Sequence, residues 1–435
     1  MTRMTERREI AITVPVLARV EGEGALDLQV RDGRIERLLL KIYEPPRLFE
    51  KMLEGRAYTE VPDIVARICG ICPVAYQMSA ARAIESAFGT RVTPWVEAMR
   101  RLFYCGEWIE SHALHIHLLA LPDFLGFPSV IAMAEKYPDE VRRGLMLQGV
   151  GNDLIRFLGG RSVHPVGARI GGFHHAPAEA EARSLRAKVE AALPLAEALA
   201  RWCASLPVPD DAQEFECVSL ADGDNYPVMG ERIVSSRGLD IGLAGFEQEF
   251  EERQVAHSTA LHCLHRGKPY LVGPLARMNL HFERLPQGVR QLAVETGVKW
   301  PSANMFHSLT ARAVEIVFAL REAIALLTSY ASTAAPFVAV TPRAGISYGA
   351  TEAPRGLLWH RYELDASGTV MNARIVPPTS QNQARIEEDL RASLMRMGFG
   401  HPDAELRQRA ETVIRNYDPC ISCATHFLKL KVERA

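Results

Sequence analysis

The chain has 435 residues, a formal net charge of −2 and 48% hydrophobic residues, enough apolar matter for a sizeable core and no basic excess of the kind that marks a nucleic-acid binder. No apolar run approaches the about 18 residues of a membrane span, and residues 1–9 are charged where a signal peptide would be apolar. Neither nucleic acid nor a membrane span is therefore expected, and the chain is read as cytoplasmic.

Residues 10–16 and 25–30 read as strands, with Glu21-Gly22-Glu23-Gly24 as the turn beside them. Apolar residues at helical intervals over 47–54 predict a helix stopped at Gly55. Arg67-Ile68-Cys69-Gly70-Ile71-Cys72-Pro73 follows, and 74–88 is an Ala-rich helix ended by Gly89. Both thiols thus fall just before a helix N-terminus, where the dipole and unpaired amides favour thiolate over thiol. Residues 96–121 form a long helical run containing His112, His115 and His117. Positions 112 and 115 can share a face and 117 points elsewhere, which is poor geometry for three ligands on one helix, so His112 and His115 are read as supporting groups beside a site or as buried structural residues.

Residues 177–206 read as helical and rich in Ala and Leu. From 207 to 301, Gly- and Asp-rich turns between short apolar runs predict small strands and loops. No chemistry is assigned there, and His257, His262 and His265 are read as isolated surface or core histidines. Residues 304–329 predict a long core helix, and 359–365 with 369–376 a hairpin turning at Ser367-Gly368. Helices over 384–397 and 402–415 then lead to an extended turn at Asp418-Pro419.

Two cysteine pairs organise the functional reading. The first is the Cys69/Cys72 segment; the second is Asp418-Pro419-Cys420-Ile421-Ser422-Cys423-Ala424-Thr425-His426. Each offers two thiols two residues apart, and thiolates suit soft or borderline ions such as zinc, nickel and iron. The pairs lie far beyond the roughly 15 to 20 residues between the halves of a zinc ribbon, so a shared site can close only once the whole chain has folded. One unit over 1–426 is expected for that reason, although length alone suggests about three domains. The remaining cysteines, Cys105, Cys203, Cys217 and Cys263, are scattered and suggest no disulfide framework. Either CxxC alone is equally a structural zinc half-site or a redox dithiol. Together, with their flanks, they resemble the two signatures of the large subunit of nickel–iron hydrogenases, and the resemblance runs from Arg19 to His426. It implies an α+β fold with a mainly helical core, a long-helix bundle, and small peripheral β-sheets and hairpins.

On that resemblance Cys69 and Cys420 are terminal nickel ligands, while Cys72 and Cys423 bridge nickel to an iron carrying carbon monoxide and cyanide. Arg19-Val20-Glu21-Gly22 is similar to the family's Arg-Ile-Glu-Gly element, which makes Glu21 the proton relay after Cys420 and leaves Glu23 a surface charge. Arg47 to Glu50 is similar to Arg-Gly-x-Glu, so Glu50, the backbone carbonyl of Arg374 and His426 are expected to hold a hard divalent ion, magnesium or iron. Glu352-Ala353-Pro354-Arg355-Gly356 matches a family loop whose arginine overhangs the open face of the metals. Ala353, Pro354 and Leu358, with Val376-Pro377-Pro378, are expected to line the iron's diatomic ligands. Asp418 is expected to hold Arg355 or the Cys420 loop by a charge-assisted hydrogen bond. Gly159-Gly160, His164-Pro165 and Gly171-Gly172 are similar to an element that shapes the route of electrons or protons. The chain departs from the pattern at Tyr76, where the family usually has His.

The implied activity is the reversible splitting of dihydrogen into protons and electrons. The chain shows no iron–sulfur spacing and no Gly-rich dinucleotide fingerprint. The implied partners are an iron–sulfur small subunit, flavin and iron–sulfur diaphorase subunits that reach NADP or NAD, a maturation protease and nickel chaperones. The Cys-Ile-Ser-Cys-x-x-His ending is most similar to the cytoplasmic NAD(P)-linked branch, the sulfhydrogenases, and residues 427–435 are expected to be removed on maturation. Three other readings stay open: a hydrogenase linked to deazaflavin, heterodisulfide or a membrane complex; a non-catalytic relative such as the quinone-site subunit of complex I; and a structural zinc protein.

Overall fold

Long helices occupy the middle of the molecule because their apolar surface is too wide to leave in water. In the computed structural model, which describes residues 9–425, the helix Ser308–Thr328 is buried on every side from Ser308 to Leu320, the mark of a helix enclosed by others. It packs on Pro94–Leu114 and on Glu179–Ser205, and Pro94–Leu114 also meets Pro138–Gly159. His426 and the tail expected to be cleaved lie outside the described residues.

The helix Pro94–Leu114 starts on Thr93, whose hydroxyl accepts the Val96 N–H at 3.3 Å, with Pro94 in its first turn. The predicted run to residue 121 is real but not uniform. A wide π-helical turn, His115–Ala120, interrupts it before Leu121–Leu125, and turns of this kind commonly mark functional sites. The helix Pro138–Gly159 escapes sequence periodicity because Gly144, Gly149 and Gly151 weaken the helical signal. At Gly151 a Cβ would stand 2.6 Å from the Gly106 carbonyl oxygen and 2.5 Å from the Glu110 nitrogen, so the glycine is what lets two long helices touch.

Three antiparallel meanders flank the helices. The first is Glu9–Val14, Gly24–Arg31 and Arg34–Ile42. Its third strand was not predicted, although Asp32-Gly33, both at positive φ between the paired residues Arg31 and Arg34, is a strong two-residue hairpin turn. The second comprises Val218–Ala221, Arg232–Ser235 and Asp240–Gly242. It lies in the central region with the paired strands Phe250–Arg253 and His262–His265. That region also holds two helices, Pro274–His281 and Gln287–Glu295, which the expectation of strands and loops missed.

The third meander, Gly345–Ala353, Gly356–Leu364 and Val370–Val376, contains the predicted hairpin and adds a strand before it. Ala353 pairs with Gly356, so Pro354 and Arg355 form the tip of a two-residue turn. The helix Pro378–Met397 begins six residues before its predicted start at 384. The run of Thr, Ser, Gln and Asn before 384 lacks apolar periodicity, yet it is buried and bonded: Gln381 Nε2 donates to the Leu357 carbonyl at 2.5 Å, and Asn382 bonds both N–H and C=O of Val272. Among the described residues no single helix is long and apolar enough to cross a membrane.

Candidate metal centre

The sulfurs of Cys69, Cys72, Cys420 and Cys423 all lie within 4.8 Å of one another and are buried. Cys69 Sγ is 3.4 Å from Cys420 Sγ, and Cys72 Sγ is 3.6 Å from Cys423 Sγ. The two ends of the chain are brought together by backbone pairing: the Ile421 N–H donates to the Glu21 carbonyl at 2.9 Å, a parallel bridge between Glu21 and Cys420. Gly22 makes the approach possible, since at φ +92° a Cβ there would meet the Ile421 side chain at 2.6 Å. Arg47 then clamps both cysteine loops, donating to the carbonyls of Ile68 (2.6 Å) and Ser422 and, from its own N–H, to Thr425 (2.7 Å).

The first-turn amides of the helix Pro73–Phe88 do not serve the thiols as expected. The amides of Val74 and Ala75 donate to the buried Glu107 carboxylate at 2.6 and 3.1 Å; the amide that reaches a thiol is that of Ile71, 3.3 Å from Cys69 Sγ. The four thiols are linked instead through one another. Hydrogen bonds from Cys420, Cys423 and Cys72 pull Cys69 well below the usual thiol range, while burial and those contacts push Cys420 up. Tyr76 is buried beside Cys423 and Cys72, and burial and those sulfurs raise its phenol's pKa.

Glu21 Oε2 stands 3.0 Å from Cys420 Sγ and accepts the Ser422 N–H at 3.1 Å. Burial first, then the charge on Cys69, raises its pKa. Glu23, two residues on, is exposed. Arg355 donates from Nε to the Asp418 carbonyl (2.9 Å) and from Nη2 to Asp418 Oδ1 (3.1 Å); its Nη1 is buried without a partner among the described residues. Burial opposes the charge on Arg355, but Asp418 and the sulfurs of Cys420, Cys72 and Cys69 keep it protonated. Burial likewise works against ionised Asp418, and Arg355, His115 and Arg312 outweigh it, holding its carboxyl below the ordinary range. Asp418 is not extended as its following proline suggests. It sits at φ +54°, in the left-handed region that aspartate tolerates better than most residues.

A wider layer of buried charge lies around the centre; His112 and His115 in it are buried as expected from the sequence, whereas Arg277, Glu315 and Glu107 were not read from sequence. Arg277 pairs with Glu315 and Glu352 at 2.7 and 2.9 Å, and His112 Nε2 lies 2.9 Å from Glu315. Arg277 also donates to the carbonyls of Ala353 and Pro354, fixing the turn that carries Arg355. His115 Nε2 donates to the Arg415 carbonyl at 2.8 Å; burial lowers His112 to about 4 and His115 to about 3, so both are neutral at pH 7. Ala353 and Leu358 belong to the buried cluster that includes the four cysteines; Val376 packs in another, with Trp359 and Tyr270. Pro377 and Pro378 start the helix whose Thr379 hydroxyl accepts the Cys420 N–H at 3.0 Å. Glu50 Oε1 accepts the Ile375 N–H at 2.7 Å, so the peptide bond joining Arg374 to Ile375 lies against it, while the Arg374 guanidinium turns to Glu247 and Glu252.

Four buried soft donors beside an unpaired guanidinium nitrogen fit a thiolate-bound metal centre. A sequence model of the family described as nickel-dependent hydrogenase matches residues 47–146 and 246–426, well over half of the chain. The chain is 32% identical to the sulfhydrogenase 2 alpha subunit of Pyrococcus furiosus over 96% of its own length and 100% of that protein's. It is 28% identical to the NAD-reducing hydrogenase HoxS beta subunit of Cupriavidus necator, covering 96% and 95% of the two chains. The crystal structure of an NAD+-reducing [NiFe]-hydrogenase in the H2-reduced state superposes with a TM-score of 0.84 at 27% identity, covering 96% of this chain and 99% of that one. The chain belongs to the nickel-dependent hydrogenase family, with the fold of its large subunits.

Proposed function

We propose that the chain is the catalytic subunit of a nickel–iron hydrogenase that splits dihydrogen reversibly, with electrons leaving through an iron–sulfur partner subunit toward NADP or NAD. The observation that carries this reading is the meeting of four buried sulfurs with Glu21 in hydrogen-bond reach of one and the buried Arg355 charge near three of them. When bound, the nickel–iron pair supplies the electrophilic centre at which dihydrogen yields two protons and two electrons. Cys69 and Cys420 would hold nickel as terminal thiolates, and Cys72 and Cys423 would be shared with an iron bearing carbon monoxide and cyanide. Ala353, Pro354, Leu358 and Val376 to Pro378 would enclose those small ligands.

The chain's own groups divide the remaining work. The Cys420 sulfur is the base nearest a carboxylate, and Glu21 Oε2 takes the proton onward across 3.0 Å. A raised pKa brings Glu21 closer to the range in which a relay both accepts and releases protons at neutral pH. The Ser422 N–H holds the relaying oxygen in place. Arg355 offers Nη1 to developing charge in a site closed to water, and Asp418 aims the guanidinium through its other two nitrogens. Glu50 and the Arg374 carbonyl would hold magnesium or iron with His426. A flavin-bearing diaphorase, a maturation protease acting on residues 427–435 and a cytoplasmic location complete the reading. It leans on the likeness to the sulfhydrogenase and NAD-reducing subunits.

Elemental analysis with infrared spectroscopy tests it: nickel and iron in equal amounts, with carbonyl and cyanide stretching bands, are expected. Zinc alone, without those bands, overturns it. Co-purified subunits and dihydrogen-dependent reduction of NADP or NAD separate this branch from the others.

A further inference from the structure

The central region, assigned no chemistry from sequence, brings together a second set of metal-ligating side chains. His257 lies in the loop after the strand Phe250–Arg253, His262 opens the strand His262–His265, and Glu387 belongs to the helix Pro378–Met397. One donor atom from each lies within 4.8 Å of the other two. His257 Nε2 is 2.8 Å from Glu387 Oε1, which also accepts the Leu40 N–H at 2.9 Å. The two imidazole rings meet edge to face with centroids 5.6 Å apart. A histidine–glutamate hydrogen bond accounts for His257 and Glu387. It leaves His262 unexplained: that residue is only 6% exposed, and its buried Nε2 has no hydrogen-bond partner among the described residues, a costly condition for an imidazole.

We propose that His257, His262 and Glu387 bind a divalent ion of the zinc class, at a site separate from the four-sulfur centre. Two imidazoles and one carboxylate are a recognised donor set for zinc, with a fourth position left to water. Four residues separate the two histidines, within the spacing seen for zinc-binding histidine pairs. The Leu40 N–H orients the carboxylate in the way outer-shell donors orient metal ligands. The His257 loop is tied on both sides: Thr259 bonds the Ile42 carbonyl through N–H (2.8 Å) and hydroxyl (3.1 Å), and Gln254 Nε2 donates to the Ser258 carbonyl at 2.6 Å. His257 and Glu387 are half-buried, which leaves the ion a way in.

The ion has a structural task. It joins the N-terminal sheet and the central loop to the helix whose first turn, through Thr379, carries the Cys420 N–H. Zinc changes no oxidation state, so the site takes no part in electron transfer.

The test uses the assembled enzyme, dialysed against a chelator and then against micromolar zinc, with nickel, iron and zinc counted and the zinc K-edge absorption spectrum recorded. One zinc per chain is expected, in a shell of nitrogen and oxygen at about 2.0 Å with imidazole scattering. His262→Ala should weaken zinc binding by about 100-fold or more. Glu387→Gln, which keeps an oxygen for the Leu40 N–H, should weaken it in the same direction and covers the case in which the alanine variant fails to fold. Nickel and iron should stay unchanged in both. No zinc retained, equal zinc in wild type and both variants, or a sulfur-dominated shell, which would place the zinc among the four cysteines, overturns the proposal.

Discussion

The four-sulfur centre is closed to water, whereas the His257–His262–Glu387 group is open on one side. Around the sulfurs, Arg355, Arg312, Glu107 and Asp418 are each buried and bonded, so the charged groups beside the donors are held in place by residues of the chain itself. Around the histidines only Glu387 and the His257 loop are fixed in that way. The difference teaches what each site is suited for. A closed, soft-donor centre ringed by buried charge retains its ions and controls protons, while a half-open nitrogen and oxygen site exchanges its ion and serves architecture.

The sharpest way to break this contrast is Cys420→Ser. A serine hydroxyl neither ionises near neutral pH nor offers a soft donor, so dihydrogen oxidation should be abolished and nickel content should fall, read by a gas-uptake assay and elemental analysis. Zinc bound at the histidine group should be unchanged in the same sample. Next in size is Arg355→Lys. A lysine can reach Asp418 at one point but cannot reproduce the fork that binds Asp418 and leaves Nη1 free of it. Turnover should drop by about 100- to 1,000-fold with nickel and iron retained. Loss of the metals together with the activity would mean that Arg355 supports the site instead of acting in it.

Glu21→Gln probes the proton side. Dihydrogen–deuterium exchange should fall by about 100-fold, metals staying bound, because an amide still accepts the Ser422 N–H but carries no proton across the 3.0 Å gap to Cys420. The wild-type pH profile should bend above the ordinary glutamate value, since burial and the Cys69 charge raise Glu21, and the variant should lose that bend. Glu23→Gln, at an exposed neighbouring position, is the matched control and should change nothing.

How visible each site was in the sequence follows from where its ligands come from. A CxxC places two donors within one turn of backbone, so each half of the sulfur centre announces itself, and the flanking Arg, Pro and Asp add enough identity to join halves at opposite ends of the chain. The histidine group offered only its four-residue spacing, and its third ligand, Glu387, lies in a polar helix where a glutamate reads as a solvated charge. Glu107 was silent for the same reason: nothing local shows that it is buried against the Val74 and Ala75 amides. The long helices were legible wherever apolar periodicity was intact. Pro138–Gly159 was not, because its glycines record a contact with another helix instead of a local preference.

The smallest expected effect concerns the buried charges that set the closed centre apart. Glu315 and Glu352 share Arg277, yet their pKa values move in opposite directions. Burial pushes Glu352 up to about 7 against the pull of Arg277. Burial also works against Glu315, but two hydrogen bonds from Arg277, with His112, hold it at about 2. A raised carboxyl contributes stability that is complete below its ordinary 4.5 and lost as pH rises through about 7. A depressed one contributes stability present above 4.5 and lost as pH falls through about 2. Between those ordinary and raised values only Glu352 titrates, so from pH 4.5 to 7 this pair makes the protein less stable as pH rises, by at most about 3 kcal/mol. Glu352→Gln keeps an acceptor for the Leu220 N–H and removes the titration. The fall in melting temperature across that window should then shrink by a few degrees. An unchanged slope would mean that Glu352 stays ionised at all these pH values, with Arg277 dividing its charge evenly between two carboxylates.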